Sequence, residues 1–132
     1  MKIAMDEIFY INEFDKFSGV YPRDCIIQKS NIVYIIESAD IGKAIGKNGS
    51  TVKGFSTKIN KRVLLLAYYE SIKKFIEEGL DIKINEIAIN DEIAFLKLDS
   101  MTKRKLVNDI AKFKLIKQVV ERNYNIKDIR VK

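Results

Sequence analysis

The chain contains no histidine and only one cysteine, Cys25, among its 132 residues. Histidine is the side chain that most often serves as a general base near neutral pH and as a metal ligand. A single cysteine can form neither an internal disulfide nor a cluster of metal-bound thiolates. Few residue types remain for catalysis or for a metal site, so we expect no enzymatic activity, no metal and no cofactor.

Chain breakers and long apolar runs are also scarce. Proline occurs once, at Pro22, and glycine six times, so most of the chain should adopt regular secondary structure. The longest apolar run, residues 63–69, is far shorter than the roughly 20 residues of a membrane-spanning helix. The N-terminus also lacks the apolar core of a signal peptide. We therefore expect a cytoplasmic protein without a membrane partner.

Basic residues outnumber acidic residues, which produces a net charge of +6. Residues 41–69 contain no acidic side chain and six basic ones, namely Lys43, Lys47, Lys53, Lys58, Lys61 and Arg62. A solvated surface usually mixes both signs, so this block favours a polyanionic partner, which basic proteins bind through phosphate contacts. The alternative is that these lysines only keep the fold in solution.

Apolar periodicity and turn residues predict the secondary structure of the first half. Asp40 and Ser50 are the expected N-terminal caps of two helices on either side of a glycine-containing turn. Phe55 is expected in the core. The predicted elements are a helix over residues 5–17, strands over 25–27 and 31–37, helices over 41–45 and 51–60, and a buried strand over 62–68.

The second half repeats this order of elements in outline, which predicts two similar modules, residues 1–69 and 70–132. Phe95 and Phe113 are expected in the second core. Gly79 is expected to end the first helix of this half. The predicted elements are a helix over residues 70–78, strands over 82–89 and 92–98, a continuous helix over 101–123 and a strand over 126–131. The fold class is α/β, of the α+β kind.

The turn Gly46-Lys47-Asn48-Gly49 carries the residue types that a phosphate-binding loop requires. Glycines allow positive φ and let a nucleotide backbone approach closely. The N–H groups at the start of the next helix attract phosphate, and Lys47 and Asn48 can donate to phosphate oxygens. A nucleotide-binding P-loop does not fit, because Gly42 and Gly46 are separated by three residues and no hydroxyl residue follows Lys47.

The stretch AIGKNGSTVK, residues 44–53, resembles the signature of K-homology (KH) domains, whose G-x-x-G loop clamps about four nucleotides. The whole chain resembles the archaeal NusA-like proteins. That resemblance implies two tandem type II KH modules, each a three-stranded mixed sheet with helices packed on one face. It implies a single-stranded RNA-binding protein in transcription termination or antitermination, with RNA polymerase as a candidate partner. The alternatives are a ribosome- or translation-linked RNA-binding protein, or an adaptor acting through protein contacts.

The resemblance also implies a set of RNA-binding residues in the first module. Ile45 matches a position that lines the base-binding groove, and the strand beginning at Arg62 matches its far wall. The full expected set is Lys43, Ile45, Gly46, Lys47, Asn48, Gly49, Ser50, Lys53 and Arg62. In the second module the loop should fall on residues 107–110. No glycine is present there and Asp109 would repel phosphate, so we expect that this loop does not bind RNA.

Overall fold

The computed structural model describes residues 3–132, which form two compact units that divide between Tyr69 and Glu70. Each unit contains one three-stranded mixed sheet together with α-helices, so the fold class is α+β. Over the described part of the chain, no helix combines the length and the apolar character needed to span a bilayer.

The first unit consists of a three-stranded sheet and three α-helices. Strand β2 lies in the centre, antiparallel to β1 and parallel to β3. The parallel pairing requires a crossover connection, which two short helices supply. The elements are α1 (Met5–Ser18), β1 (Asp24–Ile27), β2 (Asn31–Glu37), α2 (Ile41–Ile45), α3 (Ser50–Ile59) and β3 (Arg62–Tyr68). The 3₁₀ turns Ser38–Asp40 and Lys47–Gly49 precede α2 and α3.

Three aromatic rings join α1 and α3 to the sheet. The ring centroid of Phe14 lies 4.6 Å from that of Tyr34 and 5.0 Å from that of Phe55, and all three residues are fully buried. The Tyr34 hydroxyl donates to the Tyr10 carbonyl at 2.8 Å, and burial raises the pKa of Tyr34. The prediction that Phe55 belongs to the core is confirmed. This cluster fixes α3 on the sheet and so positions the loop that precedes it.

The second unit repeats the strand arrangement of the first. Strand β5 lies between β4, to which it is antiparallel, and β6, to which it is parallel. Its apolar core includes Phe75, Leu96, Ile116 and Val120, which are almost completely buried. The elements are α4 (Ile72–Leu80), β4 (Glu86–Asn90), β5 (Ile93–Lys97), α5 (Ser100–Asn108), α6 (Ile110–Tyr124) and β6 (Asp128–Val131).

The continuous helix predicted over residues 101–123 is wrong. The helix breaks at Asp109, where φ is −135° and ψ is 65°, and Asp109 then caps α6 through a bond from the Lys112 N–H. The apolar spacing continues across the break and therefore conceals it. Val107 and Ile110, beside the break, are 71% and 49% exposed rather than buried. Phe113 is only half-buried.

Two further predictions in the second unit are corrected by packing and pairing. Gly79 does not end α4, which continues to Leu80 and is terminated by Asp81 in the left-handed conformation. Gly79 is buried instead, and a Cβ there would lie 2.7 Å from the Ile116 Cδ1 atom, so the glycine permits close helix packing. The strand predicted from residue 82 begins only at Glu86.

Caps and strand burial in the first unit also differ from expectation. Neither Asp40 nor Ser50 forms a side-chain cap, and Gly49 occupies the N-cap position of α3. Strand β3 is half-buried rather than buried, because it lies at the edge of its sheet. Its edge position leaves one side of its backbone without a neighbouring strand of that sheet.

Candidate nucleic-acid interface

The loop Gly46–Gly49 connects α2 to α3 through a backbone path that needs glycine at both ends. Gly46 has φ 78°, and a Cβ there would lie 2.7 Å from the Thr51 backbone nitrogen. Gly49 has φ 76°, in the left-handed region. Between them Asn48 has φ 57°, a conformation that asparagine adopts more readily than most residues. The residue types of the loop are therefore those that its geometry requires.

Hydrogen bonds within the loop determine which of its amides a ligand can use. The N–H of Gly46 donates to the Gly42 carbonyl at 3.0 Å, that of Gly49 to the Gly46 carbonyl at 3.1 Å, and that of Ser50 to the Lys47 carbonyl. Within residues 3–132, no acceptor is recorded for the N–H groups of Lys47 and Asn48. The N–H groups at the start of α3 were expected to be free, and for Ser50 this expectation is wrong. The free donors among the described residues of this loop are the N–H groups of Lys47 and Asn48, at its tip.

The side chains around the loop tip are accessible to a ligand. Lys47 and Asn48 are both exposed. The Lys53 ammonium lies 3.4 Å from the Asn48 carbonyl oxygen, so its positive charge sits beside the loop. Ile45, the residue just before the loop, is 39% exposed although it is apolar. The structure thus brings four predicted side chains around two free amides, with Ser50 exposed next to them.

Two other predicted residues do not join this cluster. Arg62 begins β3, beyond the C-terminal end of α3, and a ten-residue helix places that end about 15 Å from the loop. Arg62 instead lines an open cavity of about 510 Å³ with Ser56, Thr57 and Asn60. Lys43 points towards the end of α1, where its ammonium lies 3.4 Å from the Gly19 carbonyl oxygen.

The two helices that flank the loop both lie against the edge strand β3. Both α2 and α3 contact β3, the edge strand, and residues 63–68 of that strand are only half-buried. Strand β3, which was predicted to form the far wall of a base-binding groove, is a partly accessible, apolar strand. Its half-buried residues are Val63, Leu64, Leu65, Leu66, Ala67 and Tyr68.

The positive charge of this unit is not neutralised within the fold. Across the described residues, none of the six basic side chains of residues 41–69 forms an ion pair. By contrast, Lys16 and Arg23, which lie earlier in the same unit, pair with Glu13 and Glu37. A block of like charges that forms no internal ion pairs attracts polyanions at long range.

The corresponding segment of the second unit, residues 107–110, has a different chemistry. It coincides with the break between α5 and α6. The Asp109 carboxylate already accepts the Lys112 N–H at 3.3 Å, and so occupies the position that a phosphate would need at the start of α6. The exposed side chains beside it, Val107 and Ile110, are apolar.

In residues 3–132, no group of three or more acidic, cysteine or histidine side chains could hold a metal ion.

Sequence reasoning overlooked the role of Thr51. Its backbone nitrogen and Cβ fill the space beside Gly46, so this residue sets how tightly the loop folds back on α3. Nothing in the residue spacing indicates that contact, because it depends on the φ value of Gly46 itself.

Comparisons with known proteins identify the family and the fold of the chain. The family model for the KH domain matches residues 10–92. The chain is 26% identical to the probable transcription termination protein NusA of Methanocaldococcus jannaschii, covering 99% of this chain and 75% of that protein. It is 29% identical to the protein of the same name from Methanococcus vannielii, with coverage of 85% and 68%. The crystal structure of APE1850 has the same fold, with a TM-score of 0.81, 17% identity and coverage of 98% and 100%.

Proposed function

This chain belongs to the KH domain family, and we propose that it binds single-stranded RNA as a transcription termination or antitermination factor. The observation that carries the proposal is the loop Gly46–Gly49, with two free amides and exposed Lys47 and Asn48. The relatives from Methanocaldococcus jannaschii and Methanococcus vannielii are both named as probable transcription termination proteins, which supports the role in transcription. We further propose that each unit is a type II KH module, that only the first has a working loop, and that the chain is not an enzyme.

In the proposed complex, an extended RNA strand lies between the α2–α3 pair and β3. Phosphates approach the Lys47 and Asn48 amides, and the charges of Lys47 and Lys53 stabilise them. Bases contact Ile45 and the half-buried side of β3. Apolar contacts of this kind discriminate weakly between bases, so one working module should have low sequence specificity.

The salt dependence of RNA affinity tests the phosphate contacts. Each phosphate neutralised on a single strand contributes about −0.7 to the slope of log K against log salt concentration. A clamp on about four nucleotides therefore predicts a slope of roughly −2 to −3. Fluorescence anisotropy of a labelled single-stranded RNA over a range of KCl concentrations measures it. A slope near zero contradicts binding through phosphates.

A triple variant of the second unit tests the assignment of its loop. Val107→Ala, Asn108→Ala and Ile110→Ala together should change RNA affinity by less than about twofold, about 0.4 kcal/mol. Asp109 is retained because it caps α6. The same anisotropy assay measures the effect, with circular dichroism as the control for folding. A loss of tenfold or more, on the order of 1.4 kcal/mol, would mean that this segment contacts RNA.

Isolation of the tagged chain from cells tests the role in transcription. We expect enrichment of RNA polymerase subunits that persists after nuclease treatment, because a protein contact does not depend on RNA. Enrichment of ribosomal subunits without polymerase would favour the translation-linked alternative. Association with proteins alone, combined with no RNA affinity, would favour the adaptor.

A further inference from the structure

The sheet of the second unit has one face that its own helices leave open. Pairing across β4, β5 and β6 places Ala88, Phe95 and Arg130 side by side on this face. The residues that alternate with them, Ala94 and Ile129, are buried on the opposite face. Phe95 was expected in the core, but it is only half-buried because the alternation along β5 points it away from the helices.

A cavity of about 340 Å³ lies over this open face, and Phe95 forms part of its floor. Its volume falls at the small end of the range for ligand sites in proteins, which is suitable for a single nucleotide. Its lining residues belong to β4, to β5 and the residue after it, to the first turn of α5, and to the residue that follows β6. They are Glu86, Ala88, Phe95, Lys97, Leu98, Lys103 and Lys132.

The lining combines one aromatic ring with three ammonium groups and one carboxylate. The Lys132 ammonium lies 5.6 Å from the centre of the Phe95 ring. In the described part of the chain, neither Lys97 nor Lys103 forms an ion pair. Glu86 is the strand neighbour of Lys97 across β4 and β5. The local charge is therefore positive, around a flat apolar surface that water can reach.

We propose that this cavity is a second RNA site, in which one base of a single strand stacks on Phe95. Lys97 and Lys103 then hold the phosphates on either side of that base, and the Glu86 carboxylate accepts from an exocyclic amino group. Aromatic stacking combined with cations is how proteins commonly bind single strands without strict sequence preference. An acidic peptide would satisfy the lysines but would leave the ring without a flat partner.

The proposal rests on the proposed function, since it assumes that the chain binds RNA, but it uses none of the loop residues. It gives a way of contacting RNA to a unit whose own loop segment lacks glycine and carries Asp109. Affinity would then depend on two sites on one chain, and a longer RNA would gain from occupying both.

The experiment uses the full chain carrying Lys47→Asp and Asn48→Asp, which disables the loop. A short RNA in which 4-thiouridine alternates with adenosine, whose exocyclic amino group can donate to Glu86, is crosslinked to it by light. The attached peptides are identified by mass spectrometry. We expect crosslinks on the peptide that contains Phe95. Phe95→Ala in this background should lower the residual affinity about tenfold, and Phe95→Tyr should retain it because the ring remains.

Phe113→Ala is the matched control. Phe113 is also half-buried in the second unit, and the Lys117 ammonium lies 5.7 Å from its ring, but it does not line the cavity. This variant should leave the crosslinks on the Phe95 peptide and the residual affinity unchanged. An equal loss in both variants would indicate general damage to the unit and overturn the proposal.

The remaining outcomes separate this proposal from the proposed function. If the unaltered loop binds RNA but the Phe95 peptide is never crosslinked, the second site is rejected and the proposed function stands. If the unaltered chain binds no single-stranded RNA, both are rejected. Full competition by a nucleoside monophosphate at the same nucleotide concentration, or by a polyglutamate peptide, would reject an RNA strand as the ligand.

Discussion

Replacement of Lys47 and Asn48 by aspartate is expected to lower single-stranded RNA affinity by at least about 100-fold. Two charge-assisted contacts contribute roughly 3 kcal/mol or more, and the new carboxylates would also repel the phosphates. The fold should be preserved, because both side chains are exposed and within residues 3–132 neither makes a recorded side-chain hydrogen bond or ion pair. Anisotropy with a labelled RNA measures affinity, and thermal unfolding verifies the fold.

A matched variant separates loop chemistry from net charge. Asn12→Asp with Lys16→Asp changes the charge of the same unit by the same amount, but on exposed positions of α1. Its RNA affinity should fall much less, because no phosphate is placed against α1. Equal losses in the two double variants would mean that only overall charge matters, and the loop assignment would have to be abandoned.

Gly46→Ala is expected to have the second large effect, on both RNA affinity and stability. Gly46 has φ 78° and ψ 170°, a region that essentially only glycine populates, so an L-residue there costs roughly 1–3 kcal/mol. The new Cβ would also lie 2.7 Å from the Thr51 backbone nitrogen. The Thr51 backbone nitrogen cannot move aside as the end of a flexible side chain can. The loop must therefore open, which displaces the Lys47 and Asn48 amides. Thermal unfolding and the anisotropy assay together measure the two consequences.

Gly42→Ala is the control for this substitution. Gly42 lies in α2, four residues before Gly46, and a Cβ there meets no atom within 4 Å. Because alanine favours helix over glycine by about 1 kcal/mol, this variant should be as stable as the parent or more stable. Its RNA affinity should be unchanged. If Gly46→Ala behaved like Gly42→Ala, the geometric requirement for glycine in the loop would be refuted.

Local patterns predicted the elements of the first unit to within about two residues. Strands β1 and β2 lie where isoleucine and valine cluster, and α2 ends at Gly46, as its positive φ requires. These features depend on neighbours along the chain, which the sequence displays directly. The second unit was predicted less well. The break at Asp109 lies inside a run with helical spacing, and Gly79 serves the packing of α4 against α6 rather than a helix end.

The sequence by itself determined the loop and its chemistry, because glycine alone adopts the required φ values without strain and lysine supplies the charge. It also determined the alternation of sheet and helix in each half. Only the tertiary structure decided that Lys43 lies against the end of α1, that Gly79 packs against Ile116, and that Phe95 faces an open cavity. The reason is that these three properties depend on hydrogen bonds and packing between backbone segments whose relative placement the local pattern does not specify.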